Sequence, residues 1–511
     1  MDDFYVDDAA RGMDLDNRCN IDMNTAREEA SWYSIMNVIA LAFGSGMGLP
    51  IEPSEVNSIL NRLGLTMSDL PMKNPSMIQA YFKNGDPHLT KKFEQKNLDS
   101  WRWSPDSFDK EFTPQAQGWS IIAQCEAAKW FDIPEKQTAI SVELREEWMS
   151  DGLLLAAIAE RQCAFAYDNL RDQRGLFVTA AEPGSIKVTN PETNLTDQVC
   201  MLWAACDVAS LTSRQDTAYY DEDAWKSCMA SADSLFEAIT MHKDSLLDAS
   251  MNKVQARSIS IPALIWYASL TETQDLKAQS LWLVREFADY LVRAQDNNEM
   301  VGNTIVDAAA ALRALVDAFR ITRLRTYADA AVNIFNFIES QWWKSPGMYS
   351  QSPTSSEYTF NADDIGTILG ALNVSRLFLK ERVNGRLAEL RMRIFFCNAV
   401  DLSGLQMSTP SMDFLPEWLQ QREPAIHFRH PAIPLPQDAG GIYGVAPVFA
   451  GEVGFDPQQD VWSRRMIFDV SAAMHAACEF IWLNHEAIDG FPEISLEKAT
   501  VSVRQAVGIT E

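Results

Sequence analysis

The sequence predicts an all-α fold built from helical hairpins, and three observations lead to this prediction. Apolar residues recur at three- and four-residue steps in most windows of the 511-residue chain, which is the period of helices that bury one face. No convincing set of alternating strands interrupts these windows. Two of the predicted helices also end in the same short motif. Because 47% of the residues are apolar, the chain can bury a large core.

The periodic segments correspond to helices of ordinary globular length. Their starts look alike, because Thr113, Thr196 and Asn361 offer side-chain oxygens to the first free backbone amides. Asp363 and Asp364 follow Asn361, and acids in a first turn complement the helix dipole. The predicted helices span residues 113–131, 151–170, 196–211, 223–242, 261–270, 278–294, 303–321, 327–343, 361–380, 386–400 and 469–483.

The two similar helix ends contain glycine, an apolar residue and an aromatic residue. They are GLF at residues 175–177 and GMY at residues 347–349. Glycine adopts the left-handed conformation that ends a helix, and the aromatic side chain after it folds back onto the core. Hairpins that repeat with the same exit predict a repeat array or a closed toroid.

Two long segments rich in proline and glycine interrupt this pattern, at residues 85–115 and 402–469. The second has nearly seventy residues, far more than an ordinary connection between helices, and such segments are usually functional or cover a cavity. We therefore expect residues 402–469 to cover or line the central cup of the fold.

Charge and cysteine content limit the partners and the compartment. The chain has 43 Lys and Arg against 70 Asp and Glu, a net charge of -27. This charge repels phosphate backbones and anionic membranes, so nucleic acid is not expected as a partner. The eight cysteines show no CxxC spacing and lie mostly in apolar helical stretches. Buried free thiols in a reducing, cytoplasmic compartment are the prediction.

The N-terminal region does not have the pattern of a signal peptide. It is acidic and has no basic segment followed by an apolar one, so no signal peptide is predicted. Residues 30–51, ASWYSIMNVIALAFGSGMGLPI, carry no charge and are nearly long enough to cross a bilayer. Asn37, three serines and several Gly and Pro residues dilute the segment. A buried helix is predicted here, and a membrane anchor or export through the segment is the alternative.

The hairpins, their exits and the fifteen tryptophans make residues 113–483 resemble the α/α-toroid proteins of the six-hairpin glycosidase-like group. In style the chain is most similar to the helical domain of the thioredoxin-fused spermatogenesis-associated family, in which runs such as residues 304–339 are typical. No catalytic motif is matched, and the CxxC of the thioredoxin part is missing. We predict one toroid domain at 113–484, an N-terminal acidic tail and helical extension at 1–112, and a C-terminal tail or helix at 485–511.

The resemblance implies that acids near the starts of the inner helices supply a general acid and a general base. Two carboxylates in different environments can divide these roles, because burial raises the pKa of one of them. The candidate catalytic residues are Asp307, Asp363, Asp364 and Asp469. Adjacent residues point about 100° apart on a helix, so Asp363 and Asp364 cannot both face one cavity. Their alternative role is to stabilise the helix start.

Aromatic side chains in loops or at helix ends are candidates for stacking on a sugar. We expect substrate contacts from Trp101, Trp103, Tyr443 and Trp462. The alternative for any single tryptophan is packing between layers of helices.

Neither a metal nor a cofactor is predicted. His427 and His430 form an HxxH pair in a proline-rich loop, but no third ligand follows at motif spacing. The glycine-rich residues 438–456 lack a phosphate-binding motif. The six histidines are too few and too scattered for the paired-histidine mechanism of the N-acyl-glucosamine epimerase type.

Three functional hypotheses remain open. The first is a carbohydrate-active or glycan-binding toroid, with a carboxylate acid/base hydrolase or lyase as its catalytic form and a glycan or other small molecule as ligand. The second is a non-catalytic binding or assembly component for a protein partner. The third is a terpenoid-type cyclase, because YYDEDAW at residues 219–225 faintly resembles an acidic motif of class II terpene cyclases, although helix capping explains it better.

Overall fold

The computed structural model describes residues 21–66, 77–90, 102–133, 142–182, 187–295, 299–344, 346–352, 358–408, 445–484 and 501–507. Within these ranges the chain forms fourteen α-helices, two short π-helices and only short strands, which confirms the all-α prediction. The α-helices are Met23–Ile39 (α1), Pro53–Leu63 (α2), Pro114–Phe131 (α3), Val142–Asn169 (α4), Leu195–Thr212 (α5), Glu222–Ala249 (α6), Lys253–Leu270 (α7), Gln274–Arg293 (α8), Ile305–Thr322 (α9), Arg325–Ser340 (α10), Ala362–Phe378 (α11), Gly385–Phe396 (α12), Val470–Trp482 (α13) and Val501–Ala506 (α14).

Six helices form a closed inner ring. Helices α3, α5, α7, α9, α11 and α13 each pack against the next one in this order, and α13 packs against α3. These helices are covered by two neighbours and by an outer layer, so they are apolar on nearly all sides. In α5, for example, almost every residue from Leu195 to Thr212 is buried. The ring confirms the predicted α/α toroid.

A second layer of six helices surrounds the ring. Helices α4, α6, α8, α10 and α12 each pack on the inner helix that precedes them in the chain, whereas α13 packs against α1 from the N-terminal region. An outer helix buries only one face, and in α10 this face carries Tyr327, Ile334 and Ile338. The first described helix of the chain therefore supplies the outer partner of the last inner helix.

The strands are short and form small antiparallel sheets at the ends of the helices. A three-stranded sheet of order β10-β9-β8 leads into α11, and β11 pairs with β3 just before α13. The strands are Gly48–Pro50 (β1), Ile78–Tyr81 (β2), Asn84–Gly85 (β3), Ala180–Glu182 (β4), Lys187–Asn190 (β5), Trp342–Trp343 (β6), Met348–Tyr349 (β7), Tyr358–Phe360 (β8), Glu452–Asp456 (β9), Val461–Arg465 (β10) and Phe468–Asp469 (β11).

The long segment at residues 402–469 is partly described. Its C-terminal part forms the β9-β10 hairpin, which extends β8 beside the start of α11. Phe449 packs on Phe480 of α13, with 5.3 Å between the ring centroids. The described part of this segment therefore lies against the last inner helix and at the start of α11, while residues 409–444 lie outside the described ranges.

The uncharged segment at residues 30–51 is a core element. It contains the second half of α1, a π-helix at Ala40–Gly44 and strand β1, and Trp32, Tyr33 and Ile35 are buried. Among the described helices, none combines the length and the apolar character that a membrane crossing requires.

The cysteines follow the prediction with one correction. Cys125, Cys163, Cys200, Cys206, Cys228 and Cys478 are free and buried. Cys397, at the start of a second π-helix, is disulfide-bonded, so the prediction of a free thiol is wrong at this position. Sequence spacing could not reveal this bond, because disulfide pairing depends on which helices become neighbours.

Candidate functional site

The starts of the inner helices gather at one end of the ring, because each outer helix returns antiparallel to the inner helix before it. Two of these starts contribute a histidine and a carboxylate that meet. Asp363 lies in the first turn of α11, and its Oδ1 contacts Nδ1 of His475 in the second turn of α13. The Asp363 side chain is 41% exposed and that of His475 is 12% exposed. The pair therefore connects solvent with the interior of the ring.

A second carboxylate lies on the inner side of the histidine. Nε2 of His475 is 3.4 Å from Oε1 of Glu479, one turn further along α13. Glu479 is 3% exposed and pairs with the guanidinium of Arg313 from α9. Asp363, His475, Glu479 and Arg313 thus form a continuous series of ionisable groups that runs from the mouth into the ring. We call these four residues the axial series.

Small residues on α11 make room for the axial series. Gly366 and Gly370 lie one turn apart and face α13. A Cβ at Gly366 would be 3.0 Å from the Cα of Ala476, and a Cβ at Gly370 would be 2.3 Å from Oε2 of Glu479. Helices α11 and α13 can approach this closely only because both positions are glycine.

Tryptophans surround the histidine and the arginine. The ring centroids of Trp119 and His475 are 4.1 Å apart, and those of Trp119 and Trp203 are 5.7 Å apart. Trp203 and Trp482 stack with an angle of 7° between their planes, and the Arg313 guanidinium lies 4.9 Å from the centroid of Trp482. The inner part of the axial series, from His475 to Arg313, therefore lies among indole rings, where ionic interactions are stronger than in water.

The adjacent acids on α11 point in different directions. Asp363 faces His475, whereas Asp364 accepts a hydrogen bond from the backbone amide of Asn361 at 3.1 Å and forms a capping box with it. Burial raises the pKa of Asp364 to about 7, and the charge of Asp363 contributes. Only Asp363 of this pair reaches the axial series in the structure.

The other two predicted acids also lie at helix starts. Asp307 is 3% exposed and accepts hydrogen bonds from the Nδ2 of Asn252 at 2.7 Å and from the amide of Asn303 at 2.9 Å. Its carboxylate belongs to the capping box of α9. Asp469 caps α13, and its pKa is raised by burial and further by the charge of Asp363. Asp469 is therefore beside the mouth, and both carboxylate oxygens of Asp307 accept hydrogen bonds at the start of α9.

The predicted aromatic contacts are only partly described. Trp103 is 2% exposed and packs edge-on against Phe468 at 5.1 Å, so its ring offers no open face. Trp462, on β10, packs on Phe455 at 4.9 Å. Trp101 and Tyr443, as well as the histidines of the HxxH pair, lie outside the described residues.

The acidic motif at residues 219–225 has a structural role. Asp221 caps the outer helix α6 by accepting from the amides of Asp223 and Ala224, and it pairs with Arg62 at 3.0 Å. These contacts agree with the capping interpretation.

In the described part of the chain, no group of three or more His, Cys, Asp or Glu side chains has the geometry of a metal site.

Sequence reasoning missed His475, Glu479, Arg313 and the three tryptophans around them. One signal was available, because VSAAMHAACEFIW at residues 470–482 is an otherwise apolar helix that carries a histidine and a glutamate four residues apart. Two ionisable residues on one face of a fully buried helix must be paired with other groups. The partners from α9 and α11 could not be read from the sequence.

No protein-family model matches the chain, and no curated protein matches it in sequence. Several solved structures align with the chain at low identity. A D-mannose isomerase aligns with a TM-score of 0.49 and 9% identity over 84% of this chain and 97% of that one. A cellobiose 2-epimerase from Bacillus thermoamylovorans B4167 aligns with a TM-score of 0.46 and 11% identity, over 79% of this chain and 92% of that one. A sugar epimerase from a ruminal bacterium aligns with a TM-score of 0.45 and 11% identity, over 80% of this chain and 92% of that one. The likeness to the thioredoxin-fused family stays a prediction.

Proposed function

We propose that the protein is a carbohydrate-active enzyme that acts on a neutral sugar. In this proposal, His475 is the centre of the acid–base chemistry that removes a proton from the carbon next to the sugar carbonyl and returns a proton to the sugar. The observation that carries this proposal is the contact of His475 with Asp363 at the mouth of the ring. An imidazole changes its protonation state near neutral pH, and a carboxylate on one ring nitrogen orients the ring and sets its tautomer. The exposed carboxylate of Asp363 keeps this pair accessible to a ligand.

The charge around the mouth supports a neutral ligand. Asp363, Asp364 and Asp469 lie at this end of the ring, and Glu452 acts electrostatically on Asp364. A phosphorylated or carboxylated sugar would be repelled by these groups and by the net charge of -27. Indole rings near the histidine provide the apolar surfaces that sugar rings contact.

Hydrolysis is the second candidate. It is favoured by the raised pKa of Asp469 beside Asp363, because a general acid with a raised pKa and a nearby ionised carboxylate are the two groups that glycoside hydrolysis uses. The two reactions leave different products, so one assay separates them. Proton transfer next to a sugar carbonyl exchanges a carbon-bound hydrogen with solvent, whereas hydrolysis breaks a glycosidic bond.

The test is incubation of the full chain with neutral mono- and disaccharides in D2O, followed by proton NMR. We expect loss of a carbon-bound proton signal, with His475→Gln slowing the reaction by about 10²–10⁴-fold and Asp363→Asn slowing it to a lesser extent. His242→Gln, on the outer helix α6, is the matched control. Cleavage without exchange would favour hydrolysis. Binding without turnover, or His475→Gln at the wild-type rate, would overturn the proposal.

A further inference from the structure

The inner half of the axial series has no part in the proton transfer proposed for His475 and Asp363. Glu479 and Arg313 are both largely buried, at 3% and 13% side-chain exposure, so neither lies at the mouth. Burying an ion pair is costly, and a packed apolar pair is often equally stable. A buried pair next to a candidate acid–base residue therefore needs an explanation other than stability.

The geometry points to Glu479 as a positioning residue for His475, held in place by Arg313. This inference rests on the proposed function. Nε2 of His475 is 3.4 Å from the same oxygen, Oε1 of Glu479, that pairs with Arg313. Asp363 is on the opposite ring nitrogen. The imidazole is thus held between two carboxylates, each of which can accept a hydrogen bond from the ring nitrogen it faces, and together they fix the rotation of the ring.

Each neighbour of Glu479 restricts its movement. The face of Trp482 holds the Arg313 guanidinium at 4.9 Å. On the side of α11, the space beside Glu479 exists only because residue 370 is glycine, since a Cβ there would lie 2.3 Å from Oε2 of Glu479 and 3.2 Å from Nη1 of Arg313. The carboxylate is therefore fixed between an arginine on α9 and the backbone of α11.

A similar pair in the outer layer provides a matched control. Glu339 of α10 pairs with Arg391 of α12 at 2.9 Å, with side chains 13% and 17% exposed. The Arg391 guanidinium lies 4.4 Å from the ring centroid of Trp342. Glu339, Arg391 and Trp342 thus match Glu479, Arg313 and Trp482 in residue type, and the two ion pairs are comparably buried. The described polar contacts of Glu339, however, are with Arg391 and Tyr349 and none is with a histidine.

The experiment compares Glu479→Gln with Glu339→Gln in the full chain. With histidine labelled with ¹⁵N, two-bond nitrogen–proton correlation spectra report the tautomer of each ring, and the His475→Gln variant identifies the signals of His475. We expect Glu479→Gln to shift both ring nitrogens of His475 and to lower kcat by about 10–100-fold with little change in KM. Glu339→Gln should change neither.

Arg313 is tested by a conservative replacement. Arg313→Met should shift the His475 signals as Glu479→Gln does, and Arg313→Lys should restore them in part because a charge near Glu479 is kept. Unchanged His475 signals in Glu479→Gln, in a variant that is folded by circular dichroism, would overturn the positioning role even if the wild type converts sugars. Shifted signals in a protein that converts no sugar would instead refute the proposed function alone.

Discussion

Asp363 contacts His475 although 112 residues separate them in the chain. The contact exists because α11 and α13 are neighbours in the inner ring and approach closely at Gly366 and Gly370. The next residue, Asp364, is bound to its own helix start. Which of two adjacent carboxylates meets the histidine is therefore decided by the orientation of α11 relative to α13.

The two glycines of α11 should respond differently to alanine. In Gly366→Ala the new Cβ meets the backbone of α13, so the helices must separate, and we expect a loss of about 1–3 kcal/mol in unfolding free energy. In Gly370→Ala the Cβ meets the Glu479 carboxylate, which must leave its place between Arg313 and α11, so kcat should fall by a larger factor than in Gly366→Ala. Urea unfolding and steady-state kinetics measure both effects.

Gly385→Ala is the control for this pair, because a Cβ at the start of the outer helix α12 would lie 3.3 Å from the Cβ of the exposed Lys380, which needs to move by only a few tenths of an ångström. We expect little change in either measurement. Wild-type kcat in Gly370→Ala would contradict the close packing of Glu479.

Asp364 should make stability depend on pH. Its pKa is about 7 in the folded protein and 3.8 in its ordinary state, so between these values the folded state holds a proton that the unfolded state has released. The contribution of Asp364 to the unfolding free energy is therefore fully present below pH 4 and is lost as the pH rises through 7. Asp364→Asn cannot titrate but can still accept the hydrogen bond from Asn361.

The measurement for Asp364 is the unfolding free energy of wild type and Asp364→Asn between pH 4 and 8.5. The variant should gain stability relative to wild type as the pH rises, with most of the change between pH 4 and 7. Because the other buried acids are present in both proteins, the difference between the two unfolding free energies reports the titration of Asp364 alone. A constant difference over the whole range would show that Asp364 does not titrate in this window.

Lys129 should stabilise the opposite end of the ring. Its Nζ is 2.6 Å from Oε1 of Glu126 and 3.2 Å from Oδ1 of Asp207, and burial raises the pKa of Asp207 to about 7. In Lys129→Met two buried carboxylates lose their counter-ion, and we expect a loss of about 3–5 kcal/mol at pH 8. The loss should be smaller at pH 5.5, because Asp207 can then be protonated.

Thermal and urea unfolding at the two pH values measure this effect. The control is Lys226→Met, which removes the exposed pair with Glu222 at 2.5 Å and should have no measurable effect. A loss for Lys129→Met that is equal at both pH values would indicate that packing of the lysine stem, and not its charge, is what matters.

Asp307 should contribute to the stability of the folded protein. Asp307→Ala removes the acceptor for the Asn252 side chain and for two backbone amides at the start of α9, and the loss of a cap costs about 0.5–2 kcal/mol. We expect activity to fall only in proportion to the folded fraction. Thermal unfolding together with activity per folded molecule tests this, and a stable but inactive variant would return Asp307 to the candidate catalytic residues.

The sequence by itself determined the fold class, most of the helices and several of their starts, but the predicted cap Thr196 is wrong because Asn194 caps α5. Periodicity and capping are local properties, and Thr113, Asn361 and Asp469 cap helices in the structure. The fold class followed because hairpins of this kind can bury their apolar faces only against other helices. Local geometry also predicted that only one of Asp363 and Asp364 can face a cavity, since adjacent residues on a helix point in different directions.

Only the tertiary structure decided which helices are inner and where the site lies. Closure of the ring places α13 between α11 and α3, with α1 behind it, and the Nε of Arg27 donates to the carbonyl of Leu483 across 456 residues at 2.9 Å. The local sequence of α13 indicates only that His475 and Glu479 need partners, and that of α9 does not single out Arg313. With Asp363 of α11 these residues become one series because three inner helices point their side chains at the same axis, and the relative rotation of packed helices depends on the complete set of contacts around the ring.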